Sequence, residues 1–442
     1  MKLKLIPVGI LILMLFSACS ININKNNSST IEQWVQNNGH EIKTLVPSAN
    51  SDDLGLLNDI VGNASVVCLG ESRHDIHEQF LIKHRMVRYL VEELGFTVFI
   101  IEGSLPYSRR IDAYILNGEG NIDEIMSDMP GWFLWDTAEI LDMILWMRDY
   151  NSNPENTEKI RFYGIDIVAP NDALNQVFSF MQKYDQTAFK GFRNTEYAQD
   201  YINDEMWPQT RQAFEGFSDH EQQLLDKNYR DLYEHFVRNE ANYTSLSSSE
   251  EYAWVLRMAY CAQEANKMFS SNSTLKFGLT RDMAMAQNAL WIKEHLKDEK
   301  IIVWAHNVHI ATDDFTMSLE EGSIKGMGYH LKKELGDEMI SIGAAFNAGE
   351  YPEWNKSFPP SDSNSIDGIL AKSGMEYAMF DLKKDIENES VKNWMNTKQV
   401  LRAQDFEMYC IPIKSFDGFF FVEHISRAIP NQRSSERFRG NN

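Results

Sequence analysis

The sequence predicts an α/β fold in which a central, mostly parallel sheet is flanked by helices and carries a large helical insertion. Four apolar runs have the continuity of strands that are buried on both faces of a sheet. An ionisable residue follows at or just after the end of each run. The runs are Val66–Leu69, Thr97–Ile101, Ile160–Ile165 and Ile301–Ala305, followed in turn by Glu71, Glu102, Asp166 and His306. Because ligands collect at the carboxyl ends of parallel strands, this pattern predicts a polar site at one sheet edge.

Helical patterns separate the first strands. The segment Ile76–Leu94 repeats its apolar residues with helical spacing, and Gly95 supplies a C-terminal stop. A second helix is predicted over Ala138–Tyr150. Strand, helix and strand in this order form a βαβ unit, which is typical of a parallel sheet.

The middle of the chain, residues 171–297, is predicted to be a helical insertion that caps the sheet edge. Apolar residues recur there with helical spacing, and Ser247–Glu251 is typical of a helix start. Strand patterns then return at Met339–Ala345, Tyr377–Leu382 and Phe419–Val422. No linker divides the chain, so residues 31–430 are predicted to form one domain and residues 431–442 a disordered tail.

The first residues resemble a bacterial lipoprotein signal. Lysines precede an apolar run that is too short to span a bilayer, and small residues precede Cys19 as in a lipobox. We therefore expect residues 1–18 to be removed, Cys19 to carry a lipid and residues 19–30 to form a flexible tether. This predicts a lipid-anchored protein of the bacterial cell envelope, on the outer membrane in a Gram-negative organism. Secretion without a lipid and an uncleaved anchor are the alternatives.

Composition limits the partners and the chemistry. A formal net charge of −22 disfavours nucleic acid, because phosphates repel a strongly acidic protein. Hydrophobic residues make up 43% of the chain, enough for a large core. Cys68, Cys261 and Cys410 lack CxxC spacing, so no disulfide framework is expected. We expect Cys68 and Cys261 to be buried and unreactive.

Glu71, His74 and Glu102 are the first candidates for catalysis. A histidine accepts a proton from water near neutral pH, and a carboxylate beside it fixes the ring tautomer and favours the imidazolium. Glu71 lies three residues before His74, and Glu102 ends the next strand run along the chain. In the alternative interpretation, both glutamates cap the segments that follow and His74 packs against them.

His306 and His309 are the second candidates. Residues three apart at a strand end cannot face the same way in extended backbone, so a turn must begin there. One ring can then donate to a developing oxyanion while the other holds it in place. Ordinary loop histidines are the alternative. We expect His77 to be a helix-cap residue on a solvent face.

Other chemistries find less support in the motifs. Glutamates and histidines at one edge can hold zinc or another divalent ion, but HExxH, HxxEH and CxxC are absent. The chain also has no GxSxG elbow, no GxxxxGK[ST] loop and no GxGxxG after a strand. No cofactor is therefore expected, and a divalent metal is the alternative.

Several motifs in order resemble the erythromycin esterase family, from about Ile31 to Val422. They are Gly70-Glu71-Ser72-Arg73-His74, Glu78-Gln79-Phe80, Lys83-His84-Arg85, Leu94-Gly95-Phe96-Thr97 with Glu102, Trp135 with Glu139, Trp146-Met147-Arg148-Asp149-Tyr150-Asn151, Gly164-Ile165-Asp166-Ile167, Ala305-His306-Asn307-Val308-His309, and Phe416-Asp417-Gly418 with Phe421.

The resemblance implies ring-opening hydrolysis of a macrolide lactone without a covalent enzyme intermediate, as in antibiotic-resistance enzymes. It implies that His74 activates water, that Glu71 and Glu102 are the acidic site residues and that His306 and His309 are the paired histidines. A basic site residue falls at Lys83, where the family's resistance enzymes can carry arginine. Asp75 after His74 departs from the glycine common in relatives.

Three functions stay open at this point. The first is a hydrolase for a small-molecule ester or lactone, and the second is a metal-dependent hydrolase on the same residues. The third is a surface lipoprotein that binds a ligand or haem without catalysis, since related α/β lipoproteins bind haem. Haem would need Tyr, His or Met ligands rather than the set of Glu71, Glu102 and His74, which favours hydrolysis.

Overall fold

The computed structural model describes residues 30–129, 134–193, 207–297, 299–384 and 386–431. The predicted signal peptide, Cys19, the tether up to residue 29 and the tail from residue 432 lie outside the described residues. Within the described ranges, no helix is both long enough and apolar enough to cross a bilayer.

Thirteen strands are described, in two sheets. They are β1 (His40–Glu41), β2 (Val66–Leu69), β3 (Val98–Ser104), β4 (Arg161–Asp166), β5 (Ile301–Trp304), β6 (Phe315–Met317), β7 (Glu320–Ile324), β8 (Met339–Tyr351), β9 (Lys356–Phe358), β10 (Tyr377–Asp381), β11 (Gln399–Ala403), β12 (Phe406–Cys410) and β13 (Gly418–Ile425). The large sheet has the order β1-β10-β13-β8-β2-β5-β3-β4, and β9 pairs with β8. Its strands from β13 to β4 are all parallel, whereas β1, β10 and β9 join antiparallel.

Helices surround this sheet. They are α1 (30–38), α2 (Leu56–Val61), α3 (His77–Glu92), α4 (Leu105–Asn117), α5 (Ile122–Asp128), α6 (Ala138–Ser152), α7 (Pro170–Tyr184), α8 (Gln186–Arg193), α9 (Trp207–Glu215), α10 (Asp219–Arg238), α11 (Glu240–Leu246), α12 (Ser249–Phe269), α13 (Thr274–His295), α14 (Asn307–Ile310), α15 (Met327–Leu335), α16 (Ile366–Leu370), α17 (Glu389–Met395) and α18 (Pro412–Ser415). Four short 3₁₀ turns complete the described elements, at Asp52–Leu54, Gly336–Glu338, Pro352–Trp354 and Ala371–Ser373.

The predicted fold class is confirmed. Every predicted strand run is a strand of the large sheet, and the helical middle of the chain is the series α7 to α13. The helix start near residue 248 is real, because the Ser248 hydroxyl accepts the Glu251 N–H at the head of α12.

Successive side chains of one strand pack into different cores, which shows that the large sheet is covered on both faces. In β2, Val66 and Cys68 pack into a core shared with α12 and α13, whereas Val67 and Leu69 pack into a second core shared with α3. A strand buried on both faces must be apolar throughout, which is why β2 lacks polar alternation. As predicted, Cys68 is fully buried, and burial raises the pKa of its thiol well above the usual range.

The register of the parallel strands aligns their carboxyl ends. Leu69 of β2 and Ile101 of β3 both pair with Trp304 of β5, and Ile101 also pairs with Gly164 of β4. The residues that follow this row therefore emerge at one edge. Gly70 is required there, because a Cβ would lie 2.2 Å from the side-chain oxygen of Asn307.

A second, four-stranded sheet with the order β11-β12-β6-β7 was not predicted. Its strands are three to five residues long and antiparallel, and they mix charged and apolar residues. Such strands depend on tertiary pairing more than on their own pattern, so sequence alone gives little sign of them.

His84 in α3 allows a test of the core that does not involve the site. Only 3% of the residue is exposed, and neither ring nitrogen has a hydrogen-bond partner. Burial, with a smaller effect from Arg88, lowers the pKa of His84 to about 3, so the ring is neutral.

We predict that His84→Leu raises the free energy of unfolding by about 1 kcal/mol, because an apolar side chain removes the cost of a buried polar group without a partner. Urea unfolding measures the change. His220→Leu, at an exposed position of α10, is the control and should change little. A loss of stability in His84→Leu would show that the imidazole has a favourable role in the core.

Candidate active site

Four adjacent strands, in the order β2, β5, β3 and β4, bring the predicted site residues to one edge of the large sheet. Glu71 and His74 lie in the turn after β2, Glu102 lies within the last residues of β3, and Asp166 ends β4. After β5, His306 is the N-cap residue of α14 and His309 lies within that helix, which is the turn that their spacing predicted. All the predicted site residues except Lys83 thus leave the sheet at this edge.

Glu71 and His74 form a hydrogen-bonded pair. The Glu71 side chain is fully buried, and its Oε1 accepts the Nδ1–H of His74 at 2.7 Å. With Nδ1 carrying the proton, Nε2 of the neutral ring is left as the basic nitrogen. The His74 ring meets Trp135 edge-on, with centroids 4.7 Å apart, and no described residue bonds Nε2. The bond to Glu71 therefore fixes the tautomer of the neutral His74 ring, with Nε2 as its acceptor nitrogen.

Lys83 and Trp304 hold the other oxygen of Glu71. Lys83 Nζ donates to Oε2 at 2.6 Å, and Trp304 Nε1 donates to the same atom at 2.8 Å. Lys83 lies on α3, fully buried, and burial lowers its pKa to about 8 although Glu71 and Glu102 act in the opposite direction. The predicted basic residue therefore acts on the carboxylate that orients His74.

Glu102 is the centre of a second charged group. Its Oε1 accepts from Arg281 Nη2 at 2.8 Å and lies 3.1 Å from His309 Nε2, and its Oε2 accepts the His306 backbone N–H at 2.9 Å. Burial alone would raise the pKa of Glu102, but His309, His74 and Arg281 hold it well below the usual range. Glu102 is therefore a carboxylate in the folded protein.

His309 lies between two carboxylates. Its Nδ1–H donates to Asp282 at 2.7 Å, and its Nε2 faces Glu102. Burial opposes the charged ring, but Asp282 and Glu102 outweigh it and raise the pKa of His309 to about 10. Arg281 Nη1 also lies 3.1 Å from Nε2, but two flanking carboxylates outweigh one guanidinium. We therefore describe His309 as an imidazolium.

Arg281 and Asp282 of α13 were not predicted as site residues. Arg281 Nε and Nη2 donate to Asp166 at 2.9 and 2.5 Å, in addition to the bond to Glu102. Asp166 and Glu102, with smaller effects from other groups, raise the pKa of Arg281 above its usual value despite burial. Helical spacing alone gave no sign that these two residues reach the sheet edge, more than 100 residues away in sequence from Asp166.

The His306 ring contacts the main chain of the turn after β2. Its Nε2–H donates to the Ser72 carbonyl at 2.9 Å, and its Nδ1 accepts the Val308 N–H at 3.3 Å. Burial and the nearby His74 keep the pKa of His306 well below the usual range, so the ring is neutral. Both ring nitrogens thus hold the main chain. Donation from this ring to an oxyanion requires the bond to Ser72 to open.

A cavity of about 570 Å³ lies over these groups. His74, Glu102, Asp166, Arg281 and His309 form its polar side. Its apolar walls include Trp135, Val168, Phe277, Phe315, Met317 and Phe406. The last three belong to the second sheet, so the unpredicted strands supply one wall of the site.

Residues 426–431, here called the C-terminal strap, join the starts of α3 and α6. His77 N–H donates to the Ser426 carbonyl at 3.0 Å, and Ile429 N–H donates to Glu139 at 3.0 Å. The His77 ring also hydrogen-bonds Glu139, which raises the pKa of His77. His77 does begin α3 as expected, and its ring is partly exposed and pairs with a buried glutamate. The strap thereby fixes the two chain segments that carry His74 and Trp135.

Among the described residues, no three His, Cys, Asp or Glu side chains are grouped so that they can hold a metal ion. The carboxylates of Glu71, Glu102 and Asp166 are instead matched by Lys83 and Arg281.

Comparison with known proteins gives one consistent family. The profile of the erythromycin esterase family matches residues 91–425, more than half of the chain. The chain is 27% identical over 435 residues to erythromycin esterase type II of Escherichia coli, covering 89% of this chain and 98% of that protein. The profile match begins after Glu71, His74 and Lys83. The alignment with the Escherichia coli relative covers 89% of this chain, so it extends well beyond residues 91–425.

Two solved structures agree in fold. A Bacillus cereus protein superposes with a TM-score of 0.78 at 27% identity, covering 92% of this chain and 99% of that one. A mutant erythromycin esterase in its open conformation superposes with a TM-score of 0.71 over 88% of this chain and 97% of that one. At 16% identity, this second likeness supports the fold alone. On the strength of the profile match, the chain belongs to the erythromycin esterase family.

Proposed function

We propose that this protein hydrolyses a small-molecule ester or lactone with a water molecule activated by His74 and without a covalent enzyme intermediate. The observation that carries the proposal is the Glu71–His74 pair, whose free Nε2 belongs to a ring that lines the cavity. Family membership supports hydrolysis as the reaction class.

The proposed reaction has two steps. His74 Nε2 takes a proton from water as the water oxygen attacks the ester carbonyl carbon, which gives a tetrahedral intermediate and an imidazolium. Glu71 accepts the Nδ1–H throughout and stabilises that imidazolium, as the orienting carboxylate does in other histidine-based sites. The intermediate then breaks its bond to the alkoxy oxygen, which receives the proton from Nε2. The products are a carboxylic acid and an alcohol, joined in one chain when the substrate is a lactone.

Positive groups beside the cavity support this chemistry. Arg281 and His309 both line it, and each is fixed by buried carboxylates before a substrate arrives. Preorganised charge of this kind stabilises negative charge that develops on a carbonyl oxygen without reorganising at that moment.

The cavity favours a substrate with a bulky apolar body. Its volume lies in the range typical of sites for drug-sized ligands, about 300–1,000 Å³, and aromatic and aliphatic side chains dominate its walls. A macrolide lactone is the leading candidate, because a relative that covers most of this chain is an erythromycin esterase.

The first test is hydrolysis of erythromycin and a panel of esters and lactones, followed by mass spectrometry. We predict a gain of one water by at least one substrate, and a loss of about 10²-fold to 10⁴-fold in rate in His74→Ala, because the general base is removed. His220→Ala, an exposed substitution, is the control and should keep the rate.

Near-normal turnover in a folded His74→Ala variant would contradict the mechanism. The assay is repeated after dialysis against a chelator. Loss of activity there, with recovery on adding zinc, would favour the metal-dependent alternative. Absence of hydrolysis across the panel would favour a binding lipoprotein.

The charge on His309 predicts a pH dependence of stability. Its folded pKa of about 10 exceeds the unfolded value of about 6.5, so its contribution is complete below pH 6.5 and is lost as the pH rises towards 10. We predict that the melting temperature of the wild type falls more steeply between pH 7 and 10 than that of His309→Gln.

The lowered pKa of Lys83, about 8, makes the stability of the folded protein rise with pH above this value. This contribution is present in both the wild type and His309→Gln, so it cancels in the comparison. Asp282→Asn serves as a second variant, because it removes a carboxylate that raises the His309 pKa. Parallel slopes in all three proteins would show that His309 is neutral in the folded state.

We also propose that the protein is a lipoprotein of the bacterial envelope, anchored through Cys19. The support is the lipobox-like sequence that ends in this cysteine. Cys19→Ser should move the protein from the membrane fraction to the soluble fraction in cells, as followed by immunoblot. Continued membrane retention of Cys19→Ser would point to an uncleaved anchor, and a soluble wild type would point to plain secretion.

A further inference from the structure

Gln404 has a backbone conformation that its residue type disfavours. It lies between β11 and β12 with φ of +53°, and Asn355 is the other non-glycine residue with positive φ in the described ranges. A left-handed conformation is unfavourable for most L-residues, and glycine or asparagine usually occupies such a position. Strain of this kind at a cavity wall suggests that the side chain is needed there.

The main chain of Gln404 is joined to the turn that carries the proposed base. Its N–H donates to the Ser72 carbonyl at 2.6 Å, and its carbonyl accepts from Arg73 Nη1 at 2.9 Å. The hairpin of the second sheet is therefore fixed to the turn after β2, which contains His74.

The side chain of Gln404 is oriented by the same turn. Its Oε1 accepts the backbone N–H of His74 at 3.3 Å. Because only the oxygen end of the amide can accept, this bond identifies the other end as the NH₂ group. No described residue bonds Nε2, and Gln404 lines the cavity together with His74 and Glu102.

Several other nitrogen donors of the cavity are already engaged. Trp135 Nε1 donates to the Glu102 carbonyl at 3.0 Å. Arg281 and His309 face the carboxylates of Glu102, Asp166 and Asp282. The Gln404 amide, in contrast, keeps donor capacity beside the turn of the proposed base.

We propose that Gln404 is a catalytic residue whose Nε2–H donates a hydrogen bond to the substrate carbonyl oxygen. The bond strengthens as water activated by His74 adds to the carbonyl carbon and the oxygen becomes negative. This inference rests on the proposed ester or lactone hydrolysis. It adds an oxyanion donor from the hairpin between β11 and β12 to the proposed mechanism.

Two substitutions separate the donor from the backbone contacts. Gln404→Glu keeps an oxygen that accepts the His74 N–H but replaces the NH₂ group with an acceptor. Gln404→Gly removes the whole side chain, keeps the main-chain bonds and relieves the positive φ. Asn355→Gly is the matched control, because it relieves the same kind of strain at an exposed position outside the cavity.

We expect kcat to fall by about 10²-fold to 10³-fold in both Gln404 variants, as for removal of an oxyanion donor elsewhere, with a smaller change in KM. Gln404→Gly should melt no lower than the wild type, and Asn355→Gly should keep wild-type kcat. Hydrogen exchange of the amides in residues 70–74 should stay slow in Gln404→Glu, because the contact with His74 remains.

Wild-type kcat in either Gln404 variant would overturn the proposal. A fall in kcat together with equally fast hydrogen exchange of the amides of residues 70–74 in both Gln404 variants would also overturn the proposal. Gln404 would then be a positioning residue. This inference alone is overturned if the wild type is active, His74→Ala is inactive and Gln404→Glu keeps the wild-type kcat. A wild type that hydrolyses no ester or lactone overturns the proposed function and this inference with it.

Discussion

The buried carboxylate of Glu71 is the interaction on which the rest of the site depends. A fully buried charge is stable only when it is paired and hydrogen-bonded, and removing one partner of such a pair typically costs about 3–5 kcal/mol. Lys83 from α3, Trp304 from β5 and the His74 ring meet this requirement together. Because these partners come from three segments of the chain, the His74 tautomer is defined only when the sheet, α3 and the turn after β2 are assembled.

A second set of charges ties the helical middle of the chain to the same edge. Glu102 and Asp166 from the sheet share Arg281 of α13, and Asp282 of α13 holds His309 of α14. The helices from α7 to α13 therefore do more than cover the sheet, because α13 supplies counter-charges that keep Glu102 and His309 ionised. The cavity forms between this helix, the sheet edge and the second sheet.

The sheet edge and a helical cap over it could be predicted from the sequence, but the second sheet and the side chains that α13 supplies could not. The residues after the buried strands could be predicted, since apolar runs locate the strands and parallel register aligns their ends. The pair of Arg281 and Asp282 could not, because a long-range ion pair leaves no periodic signal along the chain. The place of His306 was also hidden, since both ring nitrogens bond main-chain groups that no side-chain pattern reveals. Gln404 was missed with its whole sheet, because short antiparallel strands gain their stability from pairing and a strained glutamine resembles any other polar residue in a sequence.

The most direct test of this account is a double-mutant cycle between Glu71→Gln and His74→Ala, measured on kcat/KM with a substrate that the wild type hydrolyses. In Glu71→Gln, the amide oxygen can still face Lys83 and Trp304, so the NH₂ group faces His74 Nδ1 and imposes the other tautomer, in which Nε2 cannot accept a proton. The account predicts a loss of about 10²-fold or more for Glu71→Gln alone and no further loss when it is added to His74→Ala. Losses that add in the double variant would contradict it, since Glu71 would then act on the reaction independently of His74.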